Sequence, residues 1–299
     1  MRNPHPSVRR HERPAIGVRR ARPSKSLGER AVVLGAPGAP SPLYPVTDMS
    51  PSESGLDTTT ADSTPKPAAP AAWWEDFVDI FYAPSHVYAR RTGSGFGLPM
   101  LVVTVLLALL ALANSGVMQP IMDAEFSRGA AAAMRKDPRI TAEMMEKGRP
   151  FGEAIAKYGA IVFVPVGIFL TGLALWLVGK LVDAKEHVAD AIMVAAYAFM
   201  PRVLEAVLAG VQGLLIDPAN LNGRFKLSLG LGRFLDPDTA SPVLLALVGR
   251  IDVITIWVTV LLVIGLSVSG RIPRAKAAVA GVLIWFVGAI PPLLAALRA

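Results

Sequence analysis

Gly159 to Gly179 read GAIVFVPVGIFLTGLALWLVG, and no charged residue occurs from Tyr158 through Gly179. As an α-helix this stretch would be about 31 Å long at 1.5 Å per residue. That matches the roughly 30 Å hydrocarbon thickness of a bilayer. A helix on the surface of a soluble domain carries a polar face, and this one has none. It is therefore a membrane span, and the rest of the chain can be read outward from it.

Upstream, no charge falls between Arg91 and Asp123, which places a span at about 97–118. Downstream, 277–297 is free of charge and forms another. Two further spans, 191–216 and 253–269, are less clean. The first contains Pro201, Arg202 and Glu205, and the second follows Arg250 and Asp252. The expected fold is an all-α integral membrane protein with five transmembrane helices. The charged fraction of 18%, against about 25% in soluble proteins, agrees with it.

The connections carry their own signals. Residues 119–158 hold seven basic and six acidic groups. Asp137–Pro138 reads as the start of a second helix there, which makes the segment a folded helical hairpin. Ser241 and Pro242 read as an N-cap and first helical residue. The following 243–248 is either a short interfacial helix or an extension of the 253–269 span. Phe225, Leu227, Leu229 and Leu231 alternate with Lys226, Ser228 and Gly230, a strand-like period. Asp236-Pro237-Asp238 reads as a turn.

The amino-terminal quarter differs. Residues 1–72 contain 12 of the 25 prolines and few large hydrophobes, a composition that cannot offset its chain entropy by burial. The expectation is a disordered Pro/Arg-rich tail. Residues 1–30 carry nine basic and two acidic groups, a net of +7. Residues 31–299 carry 21 of each, so the whole net charge of +7 resides in the tail. No folded basic face stands behind it, and a nucleic-acid partner is excluded. The apolar run 31–36 is too short for a signal peptide, whose apolar region spans about 7–15 residues. Met49, followed by Ser-Pro-Ser-Glu-Ser, offers a second translation start that would leave 1–48 as upstream sequence.

From Trp73 the chain turns aromatic. Trp73, Trp74, Phe77, Ile80 and Phe81 recur at helical spacing among Glu75, Asp76 and Asp79, before Pro84 and the pair Arg90–Arg91. This reads as an amphipathic interfacial lead-in helix anchored by Trp73, Trp74, Phe77, Arg90 and Arg91. The other reading is a core-facing helix. Arg90–Arg91 and the acid-free loop Arg271, Arg274, Lys276 lie on the same side by parity. The positive-inside rule makes that side cytoplasmic. Five spans then put the amino terminus in the cytoplasm and the carboxyl terminus outside. Arg outnumbers Lys 21 to 9, the usage of a GC-rich bacterial genome, so the membrane is read as a bacterial cytoplasmic membrane.

Catalytic signatures are missing. There is no cysteine, and the four histidines (His5, His11, His86, His187) have no metal-ligand spacing. No phosphate-binding, zinc-protease or serine-hydrolase motif occurs. The expectation is no cofactor, no metal and no enzymatic activity. The informative polar residues are Arg202 and Glu205, one helix face apart at i, i+3. An ionisable group in a membrane pairs or faces water. Arg250 and Asp252 are read as headgroup-level residues or as partners of that pair.

The lead-in WWEDFVDIF at 73–81, the segment Ala83-Pro84-Ser85, AAYAFMPR at 195–202 and IDVITIW at 251–257 occur in this order around five spans. This pattern resembles the Yip-one domain family, in its bacterial branch, over about 75–297. The resemblance implies a five-span membrane domain with a cytoplasmic amino terminus. It also implies a non-enzymatic scaffold or membrane-organising role. In eukaryotic relatives it implies small GTPase partners, which transfer here only by family analogy. The lipid bilayer is the certain partner, and assembly with itself or with other membrane proteins stays open. The competing reading is a transporter or permease subunit acting through Arg202 and Glu205.

Overall fold

The computed structural model describes residues 72–298, and the tail and its Met49 lie outside them. Twelve α-helices follow in order. The lead-in forms α1 (Asp76–Asp79) and α2 (Pro84–Arg91). Next come α3 (Gly97–Ala113), α4 (Ser115–Lys136), α5 (Ala142–Tyr158), α6 (Ala160–Leu181), α7 (Val188–Ala198) and α8 (Met200–Leu215). The last four are α9 (Pro242–Val248), α10 (Val253–Ser269), α11 (Arg274–Val287) and α12 (Ile290–Arg298).

Three helical stretches are long and apolar enough to cross a membrane: α6, α7–α8 taken together, and α11–α12 taken together. A fourth exists if the bent pair α3–α4 counts as one span, and α10 is a shorter apolar helix of 17 residues. By length and composition three to four stretches qualify as spans, and the expected five are reached only if α10 is counted as well. At 1.5 Å per residue, α3 and α10 each reach about 26 Å, short of the roughly 30 Å hydrocarbon core.

α7 is the centre of the bundle. Every residue from Asp190 to Ala198 is buried, among α6, α10 and α3. Two glycines let the neighbours approach: a Cβ at Gly172 would lie 2.5 Å from the Ile192 Cα, and one at Gly265 would lie 2.3 Å from a Val194 methyl. Membrane helices use small residues in this way because dispersion contact, not water exclusion, holds them together. The outer surface is the inverse. Val105 and Leu109 of α3, Phe163 and Leu170 of α6, and Val279 and Phe286 of α11 all stand exposed. In water such a belt would be an aggregation surface, and in a bilayer it is the lipid-facing skin.

Four local expectations are corrected. The helix of the expected 97–118 span breaks after Ala113, and α4 leaves at 76° to α3. Asn114 marks the break: its Nδ2 donates to the Ala206 carbonyl of α8 at 2.8 Å, and Ser115 Oγ donates back to Leu112 O at 2.8 Å. The second helix of the 119–158 hairpin starts after Thr141, whose hydroxyl caps Met144 N at 3.2 Å, not at Asp137–Pro138. Residues 225–231 form no strand. Lys226 N donates to Gly223 O and Ser228 N to Phe225 O, both at 3.0 Å, so the chain turns before alternation can build a ladder. An isolated Gly230–Asp252 bridge is what remains. The lead-in is two short helices instead of one, because Pro84 has no N–H to continue α1 and opens α2 instead.

Elsewhere the expected signals describe the structure. α10 begins and ends at 253 and 269. α9 is a separate short helix with Ser241 Oγ accepting from Leu244 N at 3.2 Å. The Asp236–Asp238 segment is a turn: Asp238 N donates to Asp236 Oδ1 at 3.1 Å.

Candidate functional site

The polar joint begins where α7 gives way to α8. The helix breaks at Phe199, one residue before α8 begins at Met200–Pro201. Proline removes a backbone donor there and tolerates the first turn of the new helix. Arg202 and Glu205 then project from one face of α8. Arg202 Nη1 donates to Glu205 Oε2 at 2.7 Å, and Nη2 donates to Thr255 Oγ1 of α10 at 3.0 Å.

Thr255 carries the chain onward. Its backbone N–H and that of Ile254 donate to Asp252 Oδ1, at 3.0 and 2.9 Å, so Asp252 is the N-cap of α10. A carboxylate at that position also meets the positive end of the helix dipole. Its second oxygen is buried without a partner. Arg250 turns elsewhere. Its Nη2 donates to Trp285 O at 3.0 Å, and its guanidinium lies 5.6 Å over the Trp285 ring. Trp285 is in the last turn of α11, where carbonyls lack helical partners, so Arg250 caps that end. The two pairs thus meet through Thr255, and no direct ion pair joins them.

A second polar cluster, around the lead-in, was not legible as such. The Asp76 carboxylate is completely buried. Arg90 Nη2 donates to its Oδ1 at 2.5 Å, Arg91 Nε donates to Oδ2, and the Tyr197 hydroxyl lies 3.5 Å from that same oxygen. Asp79 accepts from Arg90 and from Tyr82, each at 2.7 Å. The Arg90 hydrogen bond, helped by Tyr82, holds the Asp79 carboxyl below its usual value. Gly93, in the left-handed region at φ 84°, donates its N–H to Asp190 Oδ1 of α7 at 2.7 Å. Beneath these bonds Ile80, Val87 and Tyr88 have no exposed surface, and the Phe77 ring stacks 5.4 Å from Tyr197. α1 and α2 are therefore latched into the bundle.

Of the expected anchors, Trp73 and Trp74 stay exposed at 54% and 55%. Phe77 is core, and Arg90 and Arg91 hold Asp76. The sequence signal for the latch is an acid 14 and 15 residues before an Arg pair. It means nothing until Pro84 reverses the chain.

A cavity of about 1050 Å³ lies beside the polar joint, between α3, α4, α5, α6, α8 and the 224–228 turn. α4, bent 76° from α3 at Asn114, supplies one wall through Met118, Gln119 and Met122. Among the described residues no group of three or more His, Cys, Asp or Glu is placed to hold a metal ion.

The Yip1 domain family profile matches residues 78–295. The chain belongs to the Yip1 domain family. No curated protein and no solved structure matches it. The Yip1 domain takes in Arg202, Glu205, Arg250 and Asp252 and both arginines of the latch. Asp76, Trp73 and Trp74 precede the matched segment. The latch therefore joins the Yip1 domain to the chain that leads into it.

Proposed function

We propose that this integral membrane protein of the Yip1 family is a non-enzymatic five-span scaffold. Its spans are α3, α6, α7–α8, α10 and α11–α12. α4–α5 forms a hairpin on the outer side. The latch and the basic 271–276 loop face the cytoplasm, in a bacterial cytoplasmic membrane. The single observation that carries this reading is that both arginines of the polar joint are engaged structurally. Arg202 is held by Glu205 and Thr255, and Arg250 by the Trp285 carbonyl. A substrate-carrying site needs a charge that is free to exchange partners. Partners, a small GTPase among them by family analogy, would dock at the cytoplasmic end, where Trp73 and Trp74 are exposed.

The test is accumulation of Arg202→Leu, Glu205→Leu and the double variant in membranes. Each single change strands a charge and should lower abundance, and the double change should restore it. Normal accumulation in all three would remove the structural role on which the reading rests. Topology has its own test, because the chain lacks cysteine. Single cysteines at His187 and Arg271 should label from the cytoplasm, and at Arg139 and Asp238 from outside.

A further inference from the structure

The cavity beside the polar joint is lined by two cations that have no carboxylate partner among the described residues. Its lining is mostly apolar, with Leu107 and Ala111 of α3 and Val164 of α6 forming one wall. Five charged side chains reach it. Glu205 is paired with Arg202 at 2.7 Å, and Glu153 lies 2.9 Å from Arg149, which it shares with Asp123 and Glu146. Lys157 and Arg224 remain. Among the described residues neither has a carboxylate partner, and each lies only over its neighbouring ring, Tyr158 and Phe225. The Ser228 hydroxyl, also in the lining, is buried without a hydrogen-bond partner.

A void of this size is far larger than the roughly 30 Å³ share of one water. An apolar wall leaves such a void poorly hydrated. Two unpaired cations and an unsatisfied hydroxyl ask for an anion at its mouth. The solvent of this surface is a bilayer, and a molecule with an anion at one end of a hydrocarbon chain is its ordinary component.

We propose that this cavity is a binding site for one acidic phospholipid. The phosphate sits between Lys157 and Arg224 with Ser228 as a further donor, and an acyl chain lies along Leu107, Ala111 and Val164. The site discriminates by charge. A zwitterionic lipid brings a further cation beside Lys157 and Arg224, where Glu205 is already paired with Arg202. The lipid fills the space walled by the bent α3–α4 pair and ties the outer hairpin to the bundle.

The test is native mass spectrometry of the full chain in detergent, offered equal amounts of phosphatidylglycerol and phosphatidylcholine with identical acyl chains. The wild-type chain should retain one phosphatidylglycerol, with a preference of roughly tenfold or more from two basic contacts near the phosphate. Equal retention of the two lipids overturns the proposal without recourse to any variant. Lys157→Gln with Arg224→Gln should abolish the preference, and Ala111→Phe should block retention. Lys185→Gln, at the other end of the bundle, should change neither. Unaltered preference in the double variant, checked for native helicity, also overturns it. Inorganic phosphate in large excess should leave the bound lipid in place, and its displacement by phosphate would show a free-anion site instead.

Discussion

Asp76→Asn should release the lead-in while leaving the bundle intact. The substitution keeps the side chain's shape and one acceptor but removes the charge that holds two arginines. Breaking a fully buried ion pair costs about 3–5 kcal/mol. Here the Arg90 and Arg91 side chains retain 35% and 26% exposure and can turn to water. The cost should therefore fall to about 2–3 kcal/mol, near the value of one or two charged hydrogen bonds. At 1.36 kcal/mol per decade, the open population of α1–α2 rises roughly 30- to 150-fold. The assay uses the cysteine-free background. Ile80→Cys places a thiol at a position with no exposed surface. Its labelling rate by a maleimide reports opening of the lead-in. Leu261→Cys, in the core of α10, reports opening of the whole bundle. The expected result is acceleration at position 80 and none at 261. Equal rates at position 80 with Asp76 and with Asn would refute the latch, and equal acceleration at both positions would show global unfolding instead.

Further outcomes are expected. Gly172→Ala should cost about 2–3 kcal/mol in thermal unfolding, because the new methyl meets the Ile192 backbone. Gly167→Ala, on the same helix with nothing within 4 Å, should be neutral or stabilise by up to about 1 kcal/mol. Glu186, in the turn between α6 and α7, is 3% exposed with neither carboxylate oxygen hydrogen-bonded. Burial pushes its carboxyl above the usual 4.5, with Asp190 adding and Lys180 opposing. A raised carboxyl favours folding below the unfolded pKa, and that contribution is lost as pH rises through the folded one. Glu186→Gln should therefore raise the melting temperature at pH 7.5 and change little at pH 4. Asp79 has the opposite sign: its support of the latch, present above pH 3.8, is lost as pH falls below that value through its depressed pKa. Measured relative to a free thiol at the same pH, labelling of Ile80→Cys should accelerate there with Asp79 in place and less so with Asp79→Asn. Asn114→Ala, which removes the bond to Ala206 O, should lower stability by about 1 kcal/mol.

The family resemblance read from the lead-in, the Pro201–Arg202 segment and 251–257 holds over nearly the same residues as the Yip1 domain match. The joint at Arg202 and Glu205 was legible because two charges at i, i+3 in an apolar stretch must pair. Their link to Asp252 was not, since it runs through Thr255, a residue with no mark in the sequence beyond being a helix threonine. The lead-in was misjudged for a similar reason. Helical spacing of Trp73, Phe77 and Ile80 says that one face is apolar, but not whether that face meets lipid or protein. The alternation at 225–231 failed because period two specifies a face only where a neighbouring strand exists to pair with.

What the sequence determined by itself is which segments enter the membrane. A bilayer demands the same thing of any helix that crosses it: some twenty apolar residues with every backbone group satisfied within the segment. That demand is local, so it can be read locally, as at 159–179. The tertiary structure decided the rest. Only packing breaks the helix of the first span after Ala113, since Asn114 finds its partner on α8. The burial of Asp76 likewise depends on a fold that carries Arg90 and Arg91 back to it. α4 walls the cavity only because of that same turn at Asn114. Each of these depends on residues distant in the chain meeting in space, and spacing along one helix carries no information about them.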